Sequence, residues 1–584
     1  MFNLTFVSAL FIFAICLTLV FLWLLSKRTD AAPKSANPTL QKVLIFVILC
    51  FEVISIVFMF NYPFKETLYY SGLMLTIPCM LLLLIKSLNG KFVVILLSLV
   101  LVFHFILLYE PLTSIFINEG GTNLANLVKT SHWDTSNSIN SIYGPFPMYL
   151  GLDVMFSTIT NISYISPLTG SILSVCLIFA FDLVLYCLTY QITKNPAVGV
   201  FAVLLFCLTP PANLTLHMPK WTGILLMLIS ISALLKVLET KQSKYCLVII
   251  LSYAAAIFYH PSAFIGTILL TSIILTSYLA GYIGHKKTWV FFSKNGFLLT
   301  TLLLFIVISA TRAMYTEGYL NTSLSPLQHF IFTMFGETPT LEFIPVYETS
   351  VNWYNSYAWV IVPAMSTAFI TYALLKRKCS EKPLLLFLYI SGIFFILTGW
   401  LFGVTHAVYG SFRGATYPAF ALLAPVAAFL AWKVLSSSKT KSYLLIALIV
   451  VSTGVALTDP MISRVTYAKT GAQDIATNEY DYAEALLLID ILPQNKSLLA
   501  PSELQSSFGY LTVLNGKPSF FYIGTGGAER LRQTINSVAE NKSLVSEVVY
   551  IWPPRWGSEL VQNISDVTNQ YYDSGRFVIF EEAT

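Results

Sequence analysis

The sequence predicts an all-α, multi-pass membrane protein of thirteen or fourteen helices, followed by a small α/β domain outside the cytoplasm. Hydrophobic residues make up 56% of the 584 residues, and charged residues only 11%. A soluble domain has about 25% charged residues because its surface faces water. Most of the surface of this protein must therefore face something other than water.

Fourteen apolar runs reach, or nearly reach, the length of about 20 residues that crosses a bilayer. The predicted helices are 4–26, 43–60, 70–87, 92–109, 168–192, 196–212, 222–239, 245–259, 262–284, 296–311, 356–376, 383–404, 415–435 and 443–458. Several are short, so thirteen crossings is the alternative. Together they define a transmembrane domain over residues 1–458.

The distribution of basic residues predicts which loops are cytoplasmic. No basic residue precedes the first run and Lys27-Arg28 follow it, which indicates a retained helix with its N-terminus outside rather than a signal peptide. Counted from that start, the cytoplasmic loops hold twenty Lys and Arg residues and the outer loops five. Short cytoplasmic loops collect positive charge, so the bias supports this orientation. All seven N-x-S/T triplets also fall on the predicted outer side.

Three polar regions interrupt the membrane pattern, and all three are predicted outside: the loops 110–167 and 312–355, and the tail 459–584. The tail contains helix-like patterns at 480–492 and 529–540 and strand-like runs at 519–523, 548–552 and 577–581. We therefore predict a small extracytoplasmic α/β domain over 459–584.

Several function classes are disfavoured by composition. The net charge of +5 is small for a nucleic-acid-binding protein, and no nucleotide-binding motif is present. None of the eight cysteines lies in the long outer loops or in the tail, and their spacing has no CxxC or metal-finger pattern. We interpret the cysteines as small apolar packing residues.

The first outer loop holds the strongest candidates for chemistry. It contains Glu119 and then His132-Trp133-Asp134, and it leads into an amphipathic stretch over 145–165 that includes Met155. Such a stretch can lie in the headgroup layer. A carboxylate beside it could take the proton of an attacking hydroxyl as a lipid-bound phosphate leaves. The alternative is a solvated loop with ordinary surface acids.

This loop resembles the first large external loop of the C-type (GT-C) membrane glycosyltransferases, most closely uncharacterised archaeal members. The resemblance rests on Glu119, His132-Trp133-Asp134, the Tyr143-Gly-Pro-Phe-Pro147 entry and the end of the following helix. It implies that Glu119 is the catalytic carboxylate and that Asp134 is the second acid. More loosely similar are His217-Met-Pro-Lys220 and His260-Pro-Ser262 at external helix ends, Arg413, and the C-terminal segment 572–580.

A departing lipid phosphate needs a cation to stabilise its charge, and arginine offers a bidentate fork. Arg312, Arg413 and Lys220 are three of only five basic residues in the outer loops. We predict that they bind phosphate or substrate, together with His132, Trp133, His217 and His260. Contact with anionic lipid headgroups is the alternative for each cation.

Glu52 and Asp182 lie in the middle of apolar runs. A charge there costs at least about 2.5–3.5 kcal/mol. We favour protonated side chains that form hydrogen bonds between helices over an ion or proton path, because two isolated acids do not make a relay. We interpret His104 as a packed or interfacial side chain.

The sequence thus favours a glycosyltransferase at the extracytoplasmic face of a prokaryotic, archaeal-type plasma membrane. The partners would be membrane lipid, a polyprenyl-phosphate-linked sugar donor and a glycan, glycolipid or protein acceptor, with no nucleic acid. A divalent cation, Mg²⁺ or Mn²⁺, is an open alternative, and no other cofactor is predicted. A transporter or lipid flippase, which would use Glu52 and Asp182, and a non-catalytic surface-assembly protein are the competing hypotheses.

Overall fold

The computed structural model describes the parts of the chain that carry most of the apolar runs and five segments of the tail. The described residues are 4–26, 38–59, 66–85, 92–107, 155, 158–161, 167–209, 218–240, 242, 244–259, 296–315, 360–376, 383–404, 409–435, 440–452, 497–501, 520–523, 548–552, 568–573 and 578–582.

Thirteen long helices occur among these residues. They are α1 Leu4–Ser26, α2 Pro38–Met59, α3 Glu66–Ile85, α4 Phe92–Leu107, α5 Pro167–Thr193, α6 Pro196–Cys207, α7 Met218–Thr240, α8 Lys244–Tyr259, α9 Gly296–Tyr315, α10 Ile361–Leu375, α11 Pro383–Val404, α12 Tyr409–Leu435 and α13 Thr440–Ser452. Each overlaps one predicted apolar run. The predicted run 262–284 lies outside the described residues, so the total number of crossings stays a prediction.

Three stretches within the described part of the chain are both long and apolar enough to cross a membrane, judged by length and composition. They are Pro38–Val57, Val175–Thr193 and Pro418–Leu435. Ten further apolar helical stretches are shorter, with 10–17 residues each. The protein is therefore a helical, membrane-integral protein.

Helix α2 shows the reversed polarity that lipid imposes. Its outer face presents large apolar side chains at a helical period, among them Val43, Phe46 and Val53, which are 51%, 67% and 56% exposed. The opposite face buries the polar residues Gln41, Glu52 and Ser55. A continuous apolar face of this kind is unfavourable in water but is what lipid tails solvate.

Helix α12 lies at the centre of the helical body. It packs against α1, α5, α6, α10 and α11. Its small side chains let these neighbouring helices approach closely. Six of them are buried alanines: Ala419, Ala421, Ala424, Ala427, Ala428 and Ala431. The Ser366 hydroxyl of α10 also donates to the Leu423 carbonyl oxygen at 3.1 Å.

A tight connection joins α5 to α6 and fixes their register. Asn195 caps α6 by accepting a hydrogen bond from the Ala197 amide at 3.0 Å, and Pro196 fits the first helical position because it needs no amide donor there. Further along, Gly199 packs so closely on Tyr186 that a Cβ atom would lie 2.7 Å from the ring. Only glycine allows the two helices to come this close.

Five strands of the tail form one mixed sheet in the order β2-β1-β3-β5-β4. The strands are β1 Ser497–Pro501, β2 Phe520–Ile523, β3 Val548–Trp552, β4 Thr568–Asp573 and β5 Val578–Glu582. β1 pairs in parallel with β2 and β3, whereas β5 pairs antiparallel with β3 and β4.

The sheet confirms the three predicted strand runs, which correspond to β2, β3 and β5. β1 and β4 were not predicted. The two predicted helices of the tail, 480–492 and 529–540, lie outside the described residues. The α/β class of this region and its extracytoplasmic position therefore stay predictions.

Candidate functional site

The acids of the predicted catalytic loop lie in a part of the chain that the structure does not describe. Glu119, His132, Trp133 and Asp134 lie outside the described residues, as do His217 and His260. Their predicted roles therefore stay predictions.

The amphipathic stretch after this loop is helical where it is described, at residues 155 and 158–160. Met155 and Ile159 are 60% and 81% exposed, and their spacing of four residues is the spacing of neighbours on one face of a helix. Asn161 then takes a left-handed conformation with φ 56°, which is typical of a residue just beyond a helix end. Large apolar side chains exposed on one face are what an interfacial helix requires.

The three candidate cations lie at helix ends. Lys220 is in the first turn of α7, Arg413 is the fifth residue of α12, and Arg312 is in the last turn of α9. The side chain is described for Arg312 alone among these three. Its guanidinium carbon lies 4.2 Å from the centroid of the Phe258 ring of α8, a distance at which a cation is attracted to a ring face.

The Arg312–Phe258 contact belongs to a longer contact between two parallel helices. The Tyr253 hydroxyl lies 2.7 Å from the Ser309 hydroxyl, and the Tyr253 and Phe305 rings stack at 3.9 Å. Residues later in α8 thus meet residues later in α9, so the two helices run in the same direction. The predicted topology, with one crossing between them, requires this arrangement and brings both C-terminal ends to the outer side.

A second cluster, formed by His104, Asp182 and Cys207, lies inside the helical body. His104 Nδ1 lies 2.6 Å from Asp182 Oδ2, and both side chains are buried. Cys207 is also buried, and one ligand atom from each of the three residues lies within 4.8 Å of the others. The His104 and Phe206 rings are nearly perpendicular, with ring centroids 6.3 Å apart.

The helical rise gives the depth of this cluster. His104 is twelve residues from the start of α4, and Asp182 and Cys207 are each eleven residues from the α5–α6 connection. At about 1.5 Å per residue these are distances of about 17–18 Å. The predicted topology puts all three reference ends on the cytoplasmic side, and the hydrocarbon core is about 30 Å thick. On the predicted topology, the cluster would lie near the middle of the bilayer.

The favoured interpretation of Asp182, a hydrogen bond between helices, agrees with its contact to His104 of α4. The pairing itself was not predicted. The sequence does contain a signal for it. An ionisable residue in an apolar helix usually pairs with another polar group, and His104 is a polar residue in another apolar run. Glu52 is buried too, and its Oε1 atom has no hydrogen-bond partner among the described residues.

Comparison with known proteins adds little to this description. No family model and no curated protein matches the chain. One solved structure that resembles it is the archaeal oligosaccharyltransferase AglB from Archaeoglobus fulgidus, in complex with an inhibitory peptide and a dolichol-phosphate. The match covers 84% of this chain and 74% of that one, at 12% identity and a TM-score of 0.36. A similarity at this level establishes neither a common fold nor a common activity.

Proposed function

We propose that this protein is a glycosyltransferase that works at the outer face of a prokaryotic plasma membrane. The donor is a sugar linked to polyprenyl phosphate, and the acceptor is a lipid-linked glycan, a glycolipid or a protein. The observation that carries the proposal is the order of parts along the chain: an acid-containing loop, the exposed apolar side chains of Met155 and Ile159, and cations at helix ends.

The chemistry follows from these parts. An acceptor hydroxyl attacks the anomeric carbon of the donor sugar while the bond from that carbon to the phosphate oxygen breaks. Glu119 takes the hydroxyl proton, and the polyprenyl phosphate leaves with the electron pair of the broken bond. Asp134 is the second acid. No nucleotide is needed, because the donor is already activated.

The cation that stabilises the departing phosphate is Arg312 or Arg413. Lys220 is proposed as a further residue that binds phosphate or substrate. Arg312 supports this role best, since its contact with Phe258 fixes the guanidinium at a helix end. A preorganised cation stabilises developing charge more than a mobile one, because it does not have to be reoriented during the reaction. His132, Trp133, His217 and His260 are proposed to line the substrate site.

The purified full chain in native lipid extract tests the proposal, with polyprenyl phosphoglucose and polyprenyl phosphomannose as donors. Release of polyprenyl phosphate is the readout, so the acceptor need not be known. Glu119→Gln is expected to lower the release rate about 100-fold or more, the usual effect of losing a general base. Glu110→Gln, in the same loop, is the matched control and should retain the rate.

Equal rates for the Glu119→Gln and Glu110→Gln variants would contradict the proposed base. The transporter or flippase hypothesis would gain from two results together. The wild-type chain would release no polyprenyl phosphate, and Asp182→Asn or Glu52→Gln would abolish movement of lipid across the membrane. If neither set of substitutions has an effect and removal of the tail does, the surface-assembly hypothesis gains.

A further inference from the structure

We infer that His104, Asp182 and Cys207 form a binding site for one divalent transition-metal ion of the Zn²⁺ class. This site is separate from the proposed sugar-transfer loop and does not depend on it. Its residues come from α4, α5 and α6, so the bound ion would connect three helices inside the membrane.

The donor set selects the kind of ion. An imidazole, a thiol and a carboxylate lie with their ligand atoms within 4.8 Å of one another, and these three groups are the protein ligands of Zn²⁺. Thiolate and imidazole prefer borderline or soft ions, whereas Mg²⁺ and Ca²⁺ prefer oxygen ligands. The site therefore favours Zn²⁺ over the alkaline-earth ions.

The burial of the cluster selects the charge of the ion. The three side chains are only 2%, 0% and 0% exposed, for His104, Asp182 and Cys207, and a net charge is costly at this depth. One divalent ion with a thiolate, a carboxylate and a neutral imidazole has a net charge of zero. A monovalent ion would leave the site negative.

The distance between His104 and Asp182 fits an ion that takes the place of the proton between them. His104 Nδ1 and Asp182 Oδ2 are 2.6 Å apart, a hydrogen-bond distance. Ligand bonds of about 2.0–2.2 Å would need these two atoms to separate by less than about 1 Å. Asp182 Oδ1 is buried and has no hydrogen-bond partner among the described residues, so the carboxylate can offer its second oxygen as a fourth ligand.

The charge balance of binding is simple. A neutral metal-free cluster has one dissociable proton between His104 and Asp182 and another on the Cys207 thiol. Entry of one divalent ion releases both protons to solvent, and no electron is transferred. The net charge of the site is zero before and after binding.

Expression in cobalt-supplemented medium tests the site, because the ion can then enter while the chain folds. Co²⁺ replaces Zn²⁺ in such sites, and its bond to a thiolate gives a near-ultraviolet absorption band. The purified full chain is expected to hold about one Co²⁺ and to show this band. Cys207→Ala should lose the band. Cys246→Ala, which removes a buried cysteine of α8, should keep it.

Three results would overturn the inference: wild-type chain without Co²⁺, Co²⁺ bound without the thiolate band, or a band that persists in Cys207→Ala. Asp182→Asn is a second variant that keeps a hydrogen-bond partner for His104. It should lower the Co²⁺ content at least tenfold while the chain still elutes as a folded species. Unchanged Co²⁺ content in this variant would also overturn the site.

Discussion

The ammonium group of Lys441 donates a hydrogen bond to the Leu24 carbonyl oxygen at 2.6 Å, across 417 residues of sequence. Leu24 lies in the last turn of α1, and the carbonyl oxygens of a helix's last turn need partners from outside the helix. Lys441 lies at the start of α13 and is buried, with its ammonium 5.8 Å from the Trp23 ring centroid. The first and last helices described are thus joined by a buried charged contact.

We expect Lys441→Met to destabilise the folded protein by about 2 kcal/mol, since a buried hydrogen bond to a charged group is lost. Thermal unfolding of the detergent-solubilised chain measures the effect as a lower midpoint temperature. Lys244→Met is the control, because Lys244 also begins a helix but is exposed. Equal midpoints for the two variants would contradict a stabilising role for the Lys441 contact.

The contact between Lys441 and Leu24 also bears on how the chain is oriented in the membrane. It places the end of α1 and the start of α13 side by side, and the distribution of basic residues predicts both on the cytoplasmic side. We expect a cysteine introduced by Ser437→Cys to resist a membrane-impermeant maleimide in intact cells. A cysteine introduced by Asn541→Cys in the tail should react.

The native cysteines set the background, so wild-type cells are labelled in parallel. Permeabilised cells should label the Ser437→Cys variant fully, which shows that the introduced thiol is reactive. The predicted topology has one membrane crossing between positions 437 and 541. Labelling of both introduced cysteines in intact cells would contradict it, because both positions would then lie on the same side of the membrane.

The helices were predictable because a helix in lipid must satisfy its backbone hydrogen bonds within itself, so local hydropathy largely determines where it lies. The errors are at helix ends. α2 begins at Pro38 rather than at residue 43 because Thr39 and Gln41 are helical but not apolar. α6 ends at Cys207 rather than at residue 212, shortly before Pro210-Pro211, which cannot continue a helix.

Contacts between helices were not predictable in the same way. The pairing of His104 with Asp182 depends on the rotation and depth of two helices that are 78 residues apart at the contact. Hydropathy carries no information about rotation when a helix is apolar all round. In the tail, β4 was missed because Thr568-Asn-Gln-Tyr-Tyr-Asp573 is polar, and such a composition suits an edge strand.

The His104–Asp182 pair should behave as one energetic unit in metal-free protein. Removing one partner leaves the other buried without compensation, so His104→Leu and Asp182→Leu should each cost about 3 kcal/mol or more. The double variant replaces the pair by apolar groups and should cost less than the sum of the two single losses. Chelator-treated chain, unfolded by denaturant titration in detergent, gives the three values.

Thr189→Val controls for the loss of any buried polar group from α5. Among the described residues its hydroxyl bonds only within its own helix, to the Leu185 carbonyl oxygen at 2.8 Å. A small effect is expected for this variant, together with additivity when it is combined with His104→Leu. Additive losses for His104→Leu and Asp182→Leu would show that the two side chains do not stabilise each other.

Close packing between α11 and α12 gives the last prediction. A Cβ atom on Gly392 would lie 2.6 Å from Leu423 Cγ and 3.2 Å from the Ala419 carbonyl oxygen. Gly392→Ala should therefore force the helices apart and destabilise the protein by about 1–3 kcal/mol, the usual range for overpacking.

Leu423→Ala alone leaves a cavity and should also destabilise the protein. Combined, the added methyl group enters the space that the leucine vacated, so the thermal midpoint of the double variant should exceed that of Leu423→Ala. A double variant less stable than Leu423→Ala would mean that the carbonyl oxygen of Ala419, rather than the leucine side chain, sets the limit on the approach of the two helices.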